Sequence, residues 1–209
     1  MKGSAKAVLA LYALCLSQSL AAQANDTLPL RQWEHSLAFN FYFFQDPFIF
    51  LPTYEANKGH LHLGVRYNYE DLETFSAWAG YTFMGGNTME YVITPMAGIL
   101  VGSTDGFAMG TQIQLDYKRL SFYSESEYVF DVSDHRNDFF YNWTDISYTF
   151  TDWLYAGISL QRTRLYQSDV DIQSGLLVGT SLMDIDITTY FYNPFVDDPF
   201  LILTLAKDF

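Results

Sequence analysis

Residues 60–70 read His-Leu-His-Leu-Gly-Val-Arg-Tyr-Asn-Tyr-Glu. Leu61, Leu63, Val65, Tyr67 and Tyr69 share one parity, and His60, His62, Gly64, Arg66, Asn68 and Glu70 share the other. A helix would scatter these residues around its axis, whereas a strand sends them to opposite faces. One face is apolar and the other polar or small, so the segment separates an oily surface from a wet one. The last eleven residues, Pro199 to Phe209, repeat the pattern. Leu201, Leu203, Leu205 and Phe209 fall on one side, with Thr204, Ala206 and Asp208 on the other.

The same period of two runs outward from these segments. It predicts strands at His35–Gln45, Glu73–Phe83, Met89–Val101, Phe107–Tyr117, Leu120–Asp131, Asp138–Phe150, Trp153–Tyr166, Val170–Ser181 and Met183–Asn193. Phe48–Tyr54 reads as a further short strand, weakened by Pro52. Turn signals separate the runs, among them Gly85-Gly86-Asn87, Ser103-Thr104-Asp105-Gly106, Lys118-Arg119 and Thr151-Asp152. The expected architecture is an all-β, antiparallel transmembrane β-barrel of about twelve strands, with ten as the alternative. An even count places both chain ends on one side of the membrane.

Composition agrees with that reading. The chain holds 18 Phe, 16 Tyr and 4 Trp in 209 residues, more aromatic surface than an ordinary soluble core employs. At the amino end, Lys2 and Lys6 precede an apolar run and then Ala22-Gln23-Ala24, a small-x-small cleavage pattern. Residues 1–24 are therefore expected to be a signal peptide, 25–34 a periplasmic lead-in and 35–209 the barrel. Cys15 lies within the signal, so thiol and disulfide chemistry are not expected of the exported chain. Without the signal, 9 basic residues face 24 acidic ones, a net charge of −15. That balance argues against nucleic acid as a partner.

The parity places a polar, mainly acidic set in the lumen. It comprises His60, His62, Arg66, Glu70, Gln112, Gln114, Asp116, Glu125, Glu127, Gln161, Asp171, Gln173, Asp184 and Asp186, with Glu90 and Asp145 as further members. Two arrangements are open. Arg66 and the acids can fill a narrow interior as a polar network, or the acids can line a water channel that prefers cations. His60 and His62 share a face and could hold a metal with a carboxylate, but two histidines are a weak ligand set, and neither a metal nor a cofactor is expected. Arg162 and Arg164 lie on the apolar parity of their strand. Because arginine at the bilayer midplane costs roughly 2–4 kcal/mol, they belong at the outer rim, where lipopolysaccharide phosphates are available to them.

The signal, the alternation through nearly the whole exported chain and the closing Leu201, Leu203, Leu205 and Phe209 resemble Gram-negative outer-membrane β-barrel proteins, including uncharacterised members of that class. Lys207 departs from the usual apolar residue near the end. The resemblance implies location in the bacterial outer membrane, contact with its lipid and lipopolysaccharide, and insertion by the barrel assembly machinery, with the closing strand as assembly signal. The functions expected are a narrow pore or channel with an acidic lumen, or a structural and interaction barrel. The alternative from another class is a lipid-modifying enzyme like the outer-membrane phospholipases or lipid A deacylases. Those enzymes use a serine–histidine pair. No motif of either family stands in this sequence, so no residue is expected to be catalytic.

Overall fold

The computed structural model describes residues 32–44, 48–163, 172–195 and 198–209. The signal peptide, most of the lead-in, Arg164 and Asp171 lie outside these residues. Thirteen strands follow one another: β1 (Glu34–Phe43), β2 (Phe48–Lys58), β3 (Leu61–Tyr67), β4 (Thr74–Tyr81), β5 (Phe83–Gly85), β6 (Glu90–Gly102), β7 (Gly106–Tyr117), β8 (Leu120–Asp131), β9 (Phe139–Thr151), β10 (Leu154–Arg162), β11 (Gln173–Leu182), β12 (Ile185–Tyr192) and β13 (Phe200–Asp208). Sequence neighbours pair antiparallel except β4 and β5, which both pair with β6, and β1 pairs with β13.

The ring therefore closes as a twelve-stranded barrel, because β4 and β5 are two parts of one stave. Gly80 faces Met96 and Phe83 faces Ile93 in the same register, which sets Thr94 and Pro95 opposite the break. Pro95 has no N–H to give, so the ladder lapses beside it. Thr82 and Thr94 hydroxyls bridge the gap at 3.0 Å. Closure joins the first strand to the last, so the ring has no open seam, as a backbone crossing lipid requires.

Segment 48–54 proves longer than its sequence predicts, running to Lys58. Pro52 stands one residue beyond the last β2–β3 pair, Thr53 with Arg66, where β2 is unpaired on that side and tolerates it. Turns at 59–60, 118–119, 152–153 and 183–184 lie at the end holding both chain termini. Connections at the other end include the longer 68–73 and 132–138. Phe209 completes the terminal rim by exchanging backbone hydrogen bonds with His35 at 2.9 and 3.0 Å.

Side-chain direction follows the alternation. On β3, Leu61, Leu63, Val65 and Tyr67 face outward and are 37–43% exposed, while His62 and Arg66 are 2% exposed. Large apolar side chains cover the outside elsewhere too, among them Ile99, Val101, Met109, Ile158, Leu176 and Leu201. A belt of this kind is not stable against water and suits hydrocarbon.

Candidate functional site

The inward faces of β3, β4 and β8 and the loop after β3 meet around one guanidinium. Arg66 Nη1 donates to Glu127 Oε1 at 2.6 Å and Glu125 Oε1 at 2.7 Å, with Glu70 Oε1 at 3.4 Å. All four residues are at most 2% exposed. Glu125 and Glu127 reach the same point because they stand two apart on one strand. Glu70 comes from outside the strands and is fastened by Ser76 Oγ at 2.7 Å and Trp78 Nε1 at 2.9 Å. The Tyr69 and Trp78 rings flank the guanidinium at 4.5 and 5.2 Å. Burial makes such pairing obligatory, since an unpaired charge there would be very costly. One arginine among three carboxylates still leaves the centre formally acidic.

A cavity of about 300 Å³ lies on the terminal side of this cluster. Gln32, Glu34, Gly59 and Asp208 line it at the rim, and Arg66, Glu125, Tyr123, Trp143, Asp145 and Tyr190 line its depth. Gln112 Nε2 bridges Glu55 Oε1 at 3.2 Å and Glu125 Oε2 at 3.1 Å, and Tyr123 OH donates to Glu125 Oε2 at 2.6 Å. Asp145 accepts from Trp143 Nε1 at 2.8 Å, from Tyr190 OH at 3.0 Å and from Ser159. Toward the loop end the interior is filled. Tyr42, Ile49, Leu51, Tyr141, Trp143, Leu177, Tyr190, Tyr192, Phe200 and Ile202 form one cluster, and Trp78, Met96, Leu100, Ala108 and Val129 another. Gly98 gives the Trp78 indole its place, since a Cβ there would stand 2.5 Å from the ring.

Of the residues expected in the lumen, His62, Arg66, Glu70, Gln114, Glu125, Glu127, Gln161, Gln173 and Asp186 are buried. Gln112 and Asp116 are half-buried. Asp116 accepts from Gln114 and Ser121, Gln161 donates to Tyr42 OH at 3.0 Å, and Ser181 donates to Asp186. Two placements differ from the alternation. His60 occupies the turn after Gly59, is exposed, and stacks its ring on outward-facing Tyr81 at 5.0 Å. It therefore does not share a site with His62. Asp184 is also exposed and takes φ +62° beside Met183 at φ +51°. A two-residue hairpin loop needs such left-handed backbone, and Asp accepts it more readily than most residues. Glu90, at the start of β6, is exposed as well.

The sequence pattern missed Glu55, because the strand was expected to end at Tyr54, before its parity reached that position. Tyr69, expected outward with Leu61, Leu63, Val65 and Tyr67, instead turns its ring onto Arg66, because β3 ends at Tyr67 and Tyr69 belongs to the loop after it. Trp78 carried no signal of its own as a flank of Arg66. Among the described residues no group of three His, Cys, Asp or Glu is placed to hold a metal ion. Arg162 ends β10 on the outside, exposed, with its guanidinium 5.9 Å from the Phe140 ring. Leu201 faces outward and is 43% exposed, Leu203 and Leu205 share its face in half-buried positions, and Phe209 is 64% exposed.

No protein-family model matches the chain, and no curated protein matches it. Solved structures do. The KdgM porin superimposes with a TM-score of 0.59 at 12% identity, covering 83% of this chain and 99% of its own. The KdgM porin in complex with disordered oligogalacturonate gives 0.60 at 12% identity with the same coverage. The outer membrane protein Omp33 of Acinetobacter baumannii gives 0.48 at 11% identity, covering 86% of this chain and 98% of its own. The chain thus has the closed antiparallel barrel fold of outer-membrane porins.

Proposed function

We propose that this protein is a narrow outer-membrane channel that favours cations, with its terminal end toward the periplasm. The acid-lined cavity inside a barrel with an apolar exterior carries this reading. Carboxylates at a constriction attract cations and repel anions, and the cavity walls hold six of them against Arg66, which is already paired. Short turns on the side of the termini agree with the periplasmic orientation usual for such barrels. The complex of the KdgM porin suggests a saccharide route by likeness of fold. An oligogalacturonate is a polyanion, however, and an acidic lumen is the wrong sign for it. Among the described residues no histidine is hydrogen-bonded to a serine, so nothing in the geometry favours lipid hydrolysis.

Planar-bilayer recordings of the refolded barrel in a salt gradient test the proposal. The expected result is steady conductance with a reversal potential on the cation side, moving toward zero in Glu55→Gln. A folded barrel that never conducts, or one that prefers anions, sinks it. Arg162 at the outer rim is proposed to contact lipopolysaccharide phosphate, and the β13 strand with Phe209 to be what the barrel assembly machinery recognises.

A further inference from the structure

His62 holds a hydrogen-bonding capacity that the Arg66 cluster does not use. Its ring is 2% exposed and lines the cavity. Nδ1 lies 2.9 Å from Asn57 Oδ1, which can only accept, so Nδ1 carries a proton and, in the neutral imidazole, Nε2 presents a bare lone pair. No donor among the described residues reaches Nε2. A buried acceptor without a donor is rare, and a ligand is one of the standard reasons for it.

The surroundings define what that ligand would be. Nε2 leans toward Gly64, lying 3.7 Å from where a Cβ on that residue would stand. Gly64 faces Glu55 directly in the β2–β3 ladder, and Gln112 joins Glu55 to Glu125. Glycine thus puts no side chain beside the imidazole at the inward position that faces Glu55. The ligand must bring an N–H or O–H donor to Nε2 and positive charge to Glu55. An anion meets the wrong field, and the geometry supplies no third ligating group for a metal ion. Beyond the carboxylates, Tyr123, Trp143 and Tyr190 offer ring surface to a short hydrocarbon and to its charge. The cavity volume is at the lower end of what small-molecule sites use.

We propose that this corner of the cavity binds a small primary alkylammonium ion, which donates to His62 Nε2 and the Glu55 carboxylate and lays its carbon chain toward the aromatic wall. The site deepens the channel reading, on which it rests only for the route of entry.

Isothermal titration of the folded, full-length exported chain in detergent compares two probes, n-butylammonium and tetramethylammonium. Both are monovalent, but only the first has N–H groups. The expected result is binding of n-butylammonium about tenfold tighter than tetramethylammonium, the difference one charge-assisted hydrogen bond supplies. His62→Leu reduces that preference to what the Glu55 carboxylate alone supplies, and His62→Gln, which keeps an acceptor, restores part of the loss. Heat-modifiable migration on gels verifies that each variant is folded. If the leucine variant does not fold, the discrimination by the unaltered protein decides alone. Equal binding of the two cations, binding of neither, or titration by magnesium that n-butylammonium cannot displace overturns the proposal. Bilayer recordings separate this from the channel reading. Cation-selective current without n-butylammonium discrimination removes the site and leaves the channel, while n-butylammonium binding in a barrel that does not conduct does the opposite.

Discussion

The two halves of this barrel obey one alternation and end with different interiors. β1 carries Ser36, Ala38 and Asn40 inward on the terminal side and Tyr42 on the loop side. β2 passes from Leu51 to Thr53 and Glu55, β6 from Leu100 and Met96 to Thr94 and Val92, and β13 from Ile202 to Thr204 and Ala206. The terminal half keeps a cavity because its inward residues are small or polar. The loop half is filled because its inward residues are large. A barrel of one diameter can thus be vestibule and constriction at once, and side-chain volume along each strand sets where one becomes the other. The Arg66 cluster stands at that boundary.

The largest expected effect comes from breaking the boundary itself. Arg66→Leu leaves Glu70, Glu125 and Glu127 buried without their cation and should cost about 3–5 kcal/mol. Thermal unfolding followed by circular dichroism in detergent measures this, and a variant as stable as the parent would show that the acids are not held as charged partners. Arg66→Lys, which keeps the charge but loses the planar fork, should be milder. Next comes the filled half. Gly98→Val drives a side chain into the Trp78 indole and should destabilise by about 1–3 kcal/mol, read in the same melt.

A third change sharpens the comparison by making the loop half resemble the terminal half. The Tyr69 and Tyr141 rings meet at 5.3 Å, tilted by 50°, in the filled interior. Tyr69→Ser with Tyr141→Ser should raise single-channel conductance severalfold, and unchanged conductance would place the constriction elsewhere. Glu55→Gln acts in the cavity half, where the carboxylate is only half-buried. It should change stability by less than about 0.5 kcal/mol while reducing cation preference. The smallest effect is expected outside the barrel wall, where Arg162→Ala should reduce retained lipopolysaccharide without shifting the melt.

Strand parity was legible because lipid and lumen demand opposite chemistry at adjacent residues. The period of two placed Arg66, Glu125 and Glu127 in one interior before any contact was known. It failed at His60, Tyr69 and Asp184, since turn and loop residues obey backbone geometry and not the pleat. It also stopped short of Glu55, because Pro52 weakens a strand in sequence yet sits where β2 has no β3 partner. Glu70 was assigned inward by counting, but its position depends on a loop folding into the lumen, which strand alternation cannot express.

By itself, then, the sequence determined that this chain is a lipid-facing barrel with an acidic interior, since alternation and charge are local properties. Only the tertiary structure decided that Arg66 is shared by three carboxylates, that the lumen is filled at one end, and that His62 Nε2 is buried without a donor in the cavity wall. Those features join residues from strands on all sides of the ring, whose distances depend on its closure and not on any one strand.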